Sequence, residues 1–226
     1  MGRSCVRIGA VVQARMGSAR LPGKVMKLIA GRPLLDHVIG RLGLLRTEAT
    51  PVVATTTERR DDIIERYCAG IGVACFRGSE NDVLARYVGC LRAFQFDHVI
   101  RLTADNPFTD IEELDHLVDL HLREGNDYTH SFGVLPLGVG AEVFTRAALE
   151  RSESEGQAPN HREHVNEYIQ EHPELFRIGH LSVTAAKNRP DVRLTVDTEA
   201  DYERACRIAE TAAGRWITTA EAIAAC

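Results

Sequence analysis

Short apolar runs alternate with longer stretches of helical period through the first half of the chain. Residues 6–12 are rich in valine and isoleucine, which suits a buried strand better than a helix. After a loop, residues 33–45 (PLLDHVIGRLGLL) place Leu34, Leu35, Val38, Ile39, Leu42 and Leu45 on one helical face, opened by Pro33. A second strand over residues 51–54 ends in Thr55, Thr56 and Thr57. A helix over 60–69 is stopped by Gly70 and Gly72, and a third strand over 73–76 exits at Arg77, Gly78 and Ser79. A helix near 82–93 leads to a fourth strand over 98–102, which runs directly into Thr103, Ala104, Asp105, Asn106 and Pro107. Strands separated by helices of about ten residues predict an α/β fold with a mostly parallel sheet and right-handed crossovers. Ligands bind such sheets at the carboxyl ends of the strands, where each of these loops falls.

The rhythm then changes. Thr109, Asp110, Ile111 and Glu112 carry a capping-box pattern, and Leu114, Leu117, Val118 and His121 follow the inner face of the helix they open. Residues 128–144, with glycines at 133, 138 and 140, predict an irregular excursion with short strands over the site. Helices are expected over 146–154 and 164–172, with a loop over 156–160 between them. A last strand over 192–196 delivers Asp197. Thr198 caps a helix running to about Ala213, and residues 218–225 form a short closing helix.

With 226 residues and 44% hydrophobic content, the chain can bury one sizeable core, and a second independent domain would be cramped. A net charge of -5 argues against a general nucleic-acid binder. Cys5, Cys68, Cys75, Cys90, Cys206 and Cys226 form no C-x-x-C pair, and the N-terminus does not read as a signal peptide. No apolar run reaches the roughly twenty residues of a membrane span. Together these predict a soluble cytoplasmic protein with reduced thiols.

Cations are instead concentrated in residues 13–24 (QARMGSARLPGK). Gly17, Ser18, Pro22 and Gly23 break regular structure there, and Arg15, Arg20 and Lys24 gather in one loop. Such a loop suits an anion, with backbone N–H groups brought close and guanidinium and ammonium groups neutralising phosphate oxygens. It is not a P-loop, because five residues separate Gly17 from Gly23 and Val25 stands where a magnesium-binding hydroxyl belongs. Asp105 and Asp197 both follow strands of the same predicted sheet, so they can converge. Magnesium favours one or two carboxylates completed by water and phosphate oxygens. Taken singly, Asp105 also reads as a turn residue and Asp197 as part of a helix cap.

QARMGSARLPGK, VVATTT, FRGSENDVLARY, RLTADNP, HREHV and RLTVDTEAD, in this order, resemble the cytidylyltransferases of the CMP-sugar synthetase group. Within it, the branch named for a spore coat polysaccharide biosynthesis protein is the most similar. The resemblance implies a Rossmann-like nucleotidyltransferase (GT-A-like) domain spanning residues 1–226, its mostly parallel sheet flanked by helices. An inserted β segment, about 128–145, would serve acceptor binding and dimer contacts. Ala14, Arg15, Met16, Gly17, Ser18, Arg20, Gly23 and Lys24 would wrap the triphosphate of CTP. Thr55, Thr56, Arg77, Gly78 and Asp82 would line base and ribose, and Thr103, Ala104 and Asp105 would complete the nucleotide site.

By the same resemblance, Asp105 and Asp197 would carry Mg2+, and Arg15, Arg20 and Lys24 would join them in catalysis. Asn106, Glu142 and His164 would face the acceptor. The implied reaction is Mg2+-dependent transfer of CMP from CTP to an oxygen of a sugar, sugar acid or phosphonate/phosphate, by a homodimer active in cell-surface polysaccharide or related biosynthesis. The stretch PLGVGAEV lacks the extra acidic and arginine residues associated with acidic-sugar enzymes, which leaves the acceptor open. His161 and His164 gain no Cys or further His that would make a zinc pattern. Two other readings are a non-catalytic nucleotide-binding or regulatory homologue and a metal-dependent glycosyltransferase. The latter calls for an acidic pair one residue apart, which Asp105-Asn106-Pro107 does not supply.

Overall fold

The alternation of strands and helices folds into a seven-stranded sheet in a computed structural model that describes residues 6–212 and 216–226. Cys5 and the expected helix end at Ala213 lie outside the described residues. In chain order the first elements are β1 (Ile8–Gln13), a small hairpin of β2 (Leu28–Ile29) and β3 (Arg32–Pro33), α1 (Leu34–Leu42), β4 (Thr50–Thr56), α2 (Asp62–Gly70), β5 (Ala74–Gly78), α3 (Val83–Phe94) and β6 (His98–Thr103). There follow α4 (Ile111–Glu124), β7 (Tyr128–His130), β8 (Glu142–Thr145), α5 (Arg146–Glu155), α6 (Pro159–Glu163), α7 (Glu167–Glu171), β9 (Ile178–His180), α8 (Glu199–Glu210) and α9 (Thr219–Ala224).

The sheet order is β5-β4-β1-β6-β8-β7-β9. β5, β4, β1 and β6 are parallel neighbours, whereas β8 runs antiparallel to both β6 and β7, and β9 runs parallel to β7. Because the chain leaves β1 to pair β4 on one side and later β6 on the other, the sheet reverses its winding beside β1. That switch point opens a crevice at the carboxyl ends of the strands.

Two apolar layers cover the sheet. Ala10 and Val12 pack with Leu35, Val38, Ile64, Leu114, Val118 and Ile208 of α1, α2, α4 and α8. Val11 faces the other way, toward Leu84, Val88, Leu91, Leu149 and Ile169 of α3, α5 and α7. Alternate strand residues thus serve opposite layers, as the pleat requires. Asp82 caps α3 by accepting from the Ala85 N–H at 2.8 Å, and Asp110 caps α4 through Glu113 N at 3.0 Å. Thr198 and Asp201 form a reciprocal capping box on α8.

Three expectations are corrected, and β9 adds a strand that none of them covered. β5 continues through Arg77 and Gly78, which pair with Thr55 and Thr56 of β4, so those residues are strand rather than exit loop. The helix expected over 164–172 is broken: α6 begins already at Pro159, in the stretch read as loop, and His164 is extended before α7. β9 was not anticipated, since a three-residue strand carries too little pattern to register. Residues 192–196 form no strand. They are an extended segment bridged to Leu137, whose neighbours belong to a turn that offers no ladder.

Among the described residues, Cys68, Cys75, Cys90, Cys206 and Cys226 are free thiols. No described helix is long and apolar enough to cross a membrane.

Candidate active site

At the carboxyl end of β1 the chain turns away from the sheet and folds over the switch-point crevice. The turn is held from below. Asp61 accepts from the Met16 N–H at 2.7 Å and from the Thr56 hydroxyl, and Ala14 N donates to the Ala54 carbonyl at 3.2 Å. At Gly17 an added Cβ would lie 2.9 Å from Glu80 Oε1, so a side chain there would have to displace the Arg60–Glu80 ion pair. Gly23, in the left-handed region at φ 70, donates to the Met16 carbonyl at 3.0 Å and closes the loop.

This loop walls a cavity of about 590 Å³, within the range of small-molecule sites. Arg15, Ser18, Arg20 and Lys24 come from the loop. Glu80 and Asn81 come from the entry to α3, and Arg101, Thr103, Ala104 and Asp105 from β6 and its exit. Glu163, His164 and Asp197 close the far side.

Lys24 ties these segments together. Its Nζ donates to Asp105 Oδ2 at 2.6 Å, to Asp197 Oδ1 at 2.9 Å and to the Val196 carbonyl at 2.8 Å. The two aspartates, 92 residues apart in sequence (197 − 105), therefore converge on one ammonium. Asp197 also pairs with Arg20 at 3.0 Å and Arg193 at 2.5 Å. Burial opposes charge on Asp197, but the Lys24, Arg193 and Arg20 cations outweigh it and hold its carboxyl below the ordinary range.

Asp201 fixes the backbone there by accepting from the N–H groups of Asp197 and Thr198 at 3.1 and 3.0 Å. Val196 N in turn donates to the Asp105 carbonyl at 2.9 Å, so the two acidic segments are joined through backbone as well.

Several residues expected at the site stand elsewhere. Arg77 Nε donates to the Thr56 carbonyl at 2.8 Å, and its fork is tied to the Glu58 carbonyl, Asp62 and Glu65, outside the cavity lining. Gly78 lies beneath the Arg86 side chain. Thr55 and Thr56 are fully buried, and the Thr56 hydroxyl is turned to Asp61. Asp82 spends its carboxylate on the α3 cap, while its neighbours Asn81 and Val83 reach the cavity. Asn106 lies beyond the lining and accepts through its carbonyl from Thr109. Glu142 is buried behind Arg101 rather than facing the cavity, and accepts from Arg101 and from the Tyr128 hydroxyl at 2.6 Å. Thr55, Thr56, Arg77, Gly78, Asp82, Asn106 and Glu142 are thus not among the residues this cavity brings together, and neither are Ala14, Met16, Gly17 and Gly23, which shape the loop.

Arg101, Glu80, Asn81 and Glu163 line the cavity without having been singled out from sequence. An arginine between Ile100 and Leu102 in a strand was the one legible oddity among them.

A family model described as cytidylyltransferase matches residues 10–221. The chain belongs to the cytidylyltransferase family. This cytidylyltransferase is 39% identical over 198 residues to the spore coat polysaccharide biosynthesis protein SpsF of Bacillus subtilis (strain 168), covering 85% of this chain and 82% of that one. A cytidylyltransferase structure from Leptospira borgpetersenii superposes with a TM-score of 0.92 at 31% identity, covering 97% of this chain and 93% of that one. A CMP:2-keto-3-deoxy-manno-octonic acid synthetase complexed with CTP shares the fold, with a TM-score of 0.68 at 18% identity over 92% of this chain and 98% of that one. The protein is a nucleotidyltransferase of the kind that includes the CMP-sugar synthetases.

The donor chemistry of the cytidylyltransferase site suits a hard divalent cation. Asp105 and Asp197 offer carboxylate oxygens from two segments at one point, too few for an all-protein cage but matching an ion that completes its shell with water and phosphate oxygens.

Proposed function

We propose that this enzyme transfers CMP from CTP to an acceptor oxygen of a sugar, sugar acid, phosphonate or phosphate with Mg2+, and releases pyrophosphate. The observation that carries the reading is the convergence of Asp105 and Asp197 on Lys24, with Arg20 paired to Asp197 and Arg15 lining the same cavity. Arg15, Ser18, Arg20 and Lys24, with the backbone of Gly17 and Gly23, receive the triphosphate. Thr103 and Ala104 border the nucleotide beside Asp105, and His164 faces the acceptor. Asp105 and Asp197 would hold the Mg2+, which would supply neutralisation of phosphate charge.

The acceptor oxygen forms a bond to the α-phosphorus as the bond to the bridging oxygen breaks. That electron pair leaves with pyrophosphate, and the acceptor's proton passes to solvent. Arg15, Arg20 and Lys24 hold the reactants in line and compensate charge growing on the leaving oxygens. No protein nucleophile takes part.

The same reading includes one nucleotide-binding unit over residues 1–226, a cytoplasmic location and a role in cell-surface polysaccharide or related biosynthesis. It also includes a homodimer formed through residues 128–145, where Phe132 and Leu137 are 51% and 54% exposed. Sedimentation of a species near the mass of a single 25.0 kDa chain would remove the dimer.

The test of function is nucleotide binding with CTP, UTP, GTP and ATP in the presence of magnesium, followed by pyrophosphate release over sugar acids, sugar phosphates and phosphonates. CTP-selective binding and release with one acceptor class support the reading. A protein indifferent to CTP overturns it.

A further inference from the structure

Arg101 is an unusual residue to find in the middle of a buried strand. It lies on β6 between β1 and β8, where it opposes Val11 on one side and Glu142 on the other. Its guanidinium sits about 6.0 Å from the Tyr87 ring centre and lines the cavity two residues before Thr103. The side chain is 16% exposed and that of Glu142 only 3%.

Glu142 is committed on both oxygens, one to Arg101 and the other to the Tyr128 hydroxyl, which accepts in turn from Asn166 at 3.4 Å. The clamp is therefore complete on the Glu142 side and incomplete on the Arg101 side. A guanidinium carries five N–H donors. Among the described residues its hydrogen-bond partner is Glu142, and its buried Nε has none. The Nε is enclosed and out of a ligand's reach, so the donors left for an acceptor are terminal N–H groups of a guanidinium that lines the cavity.

We propose that Arg101 is an oxyanion-binding residue of this site, held in place by Glu142 as a positioning residue. The proposal rests on the function proposed above and specifies part of its recognition. The ligand chemistry is a carboxylate or phosphate oxygen that can accept from the terminal N–H groups Glu142 leaves free. It comes either from the acceptor or from the α-phosphate of the nucleotide. The segment PLGVGAEV supplies no arginine for an acidic acceptor, and β6 supplies one from the facing strand.

Four probes distinguish the sources: CMP against cytidine for the phosphate, and 3-deoxy-manno-octulosonate against its methyl ester for the carboxylate. Equilibrium titrations compare the wild type with R101Q, R101K and E142Q, with thermal midpoints recorded for each. R101Q is expected to weaken the anionic member of one pair roughly 10- to 100-fold and to change its neutral counterpart less than about twofold. R101K should restore part of that loss, because lysine keeps the charge and lacks the fork. E142Q should weaken the same anionic probe with the same selectivity, and it decides the matter if R101Q fails to fold. Equal losses for charged and neutral probes would reduce Arg101 to a structural strut. Wild-type binding of CMP with every variant binding all probes as tightly overturns the Arg101 assignment alone, whereas wild type binding none of the four overturns the reading of the site itself.

Discussion

At Lys24, one ammonium meets Asp105, Asp197 and the Val196 carbonyl, so the charge of the acidic pair is balanced by a residue from the loop that faces it. Replacing Asp105 with Asn keeps the shape and removes the charge, and Lys24 retains its other two acceptors. Turnover is expected to fall roughly 10²- to 10³-fold, with the thermal midpoint shifted by only about 2–4 °C. Unchanged turnover would take Asp105 out of the mechanism. Lys24→Ala leaves two carboxylates with less compensation, and CTP affinity measured by calorimetry should weaken about tenfold or more. An unaltered affinity would return the loop to a solvated basic turn. Asp105 was legible as a charged residue following a strand, and Lys24 as one of three cations gathered in a glycine-containing loop, whereas Asp197 was found although the strand expected before it is a bridged segment. Arg77 shows the limit of that signal, because a strand-end arginine looks the same in sequence whether it meets a ligand or braces carboxylates such as Asp62 and Glu65. Arg101 stands out among apolar neighbours, but its partner was not legible, because only the pairing of β6 with β8 brings Glu142 beside it.

Between elements, the join of α4, β6 and β7 is made by His121, fully buried between the His98 ring nitrogen at 3.0 Å and the Thr129 hydroxyl at 2.9 Å. Burial, and secondarily the neighbouring His98, lower the His121 pKa to about 3. Between there and the ordinary value near 6.5, the unfolded chain binds a proton that folded His121 refuses. Stability therefore rises with pH across this window and is lost as pH falls below about 6.5. The depressed Asp197 carboxyl acts in a separate window, since its contribution is lost only as pH falls below its ordinary range near 3.9. His121→Gln should reduce the slope of the thermal midpoint between pH 7 and pH 5, to which His37, His98 and His130, also lowered by burial, contribute in the same sense, and an unchanged slope would refute the assignment. Gly138 governs a second join. At φ 99, an added Cβ would lie 2.4 Å from Thr195 N, in the segment that Leu137 holds and that leads to Asp197. Gly138→Ala should lower stability in urea by more than about 1 kcal/mol and lower turnover with it; a loss of stability alone would uncouple the turn from the site. The strands β1, β4, β5 and β6 and the helices between them were legible because period and punctuation agreed, whereas the β2–β3 hairpin was too short to register. Residues 159–171 and 192–196 were not, because a broken helix and a bridged segment are set by partners such as Leu137 that local pattern does not reveal.

On the scale of the molecule, the cavity is assembled from the loop after β1, the entry to α3, the end of β6, the α6 boundary and the segment before α8. Residues from Arg15 to Asp197 meet there, so a ligand filling the cavity binds the folded chain and not the unfolded one. Saturation at about 100 times the dissociation constant then adds roughly 2.7 kcal/mol, or about 5–10 °C in a chain of this size. Mass action alone would allow that rise from a ligand held by any one segment. The geometry requires more, because Lys24 joins β6 to the segment before α8 through Asp105, Asp197 and the Val196 carbonyl. CTP with magnesium should therefore slow amide exchange together in residues 15–24, 79–83, 103–106 and 193–198, while the α5 and α9 amides keep their rates. Protection confined to residues 15–24 would mean that the loop binds nucleotide by itself, and that the convergence of Asp105 and Asp197 belongs to the fold rather than to the reaction.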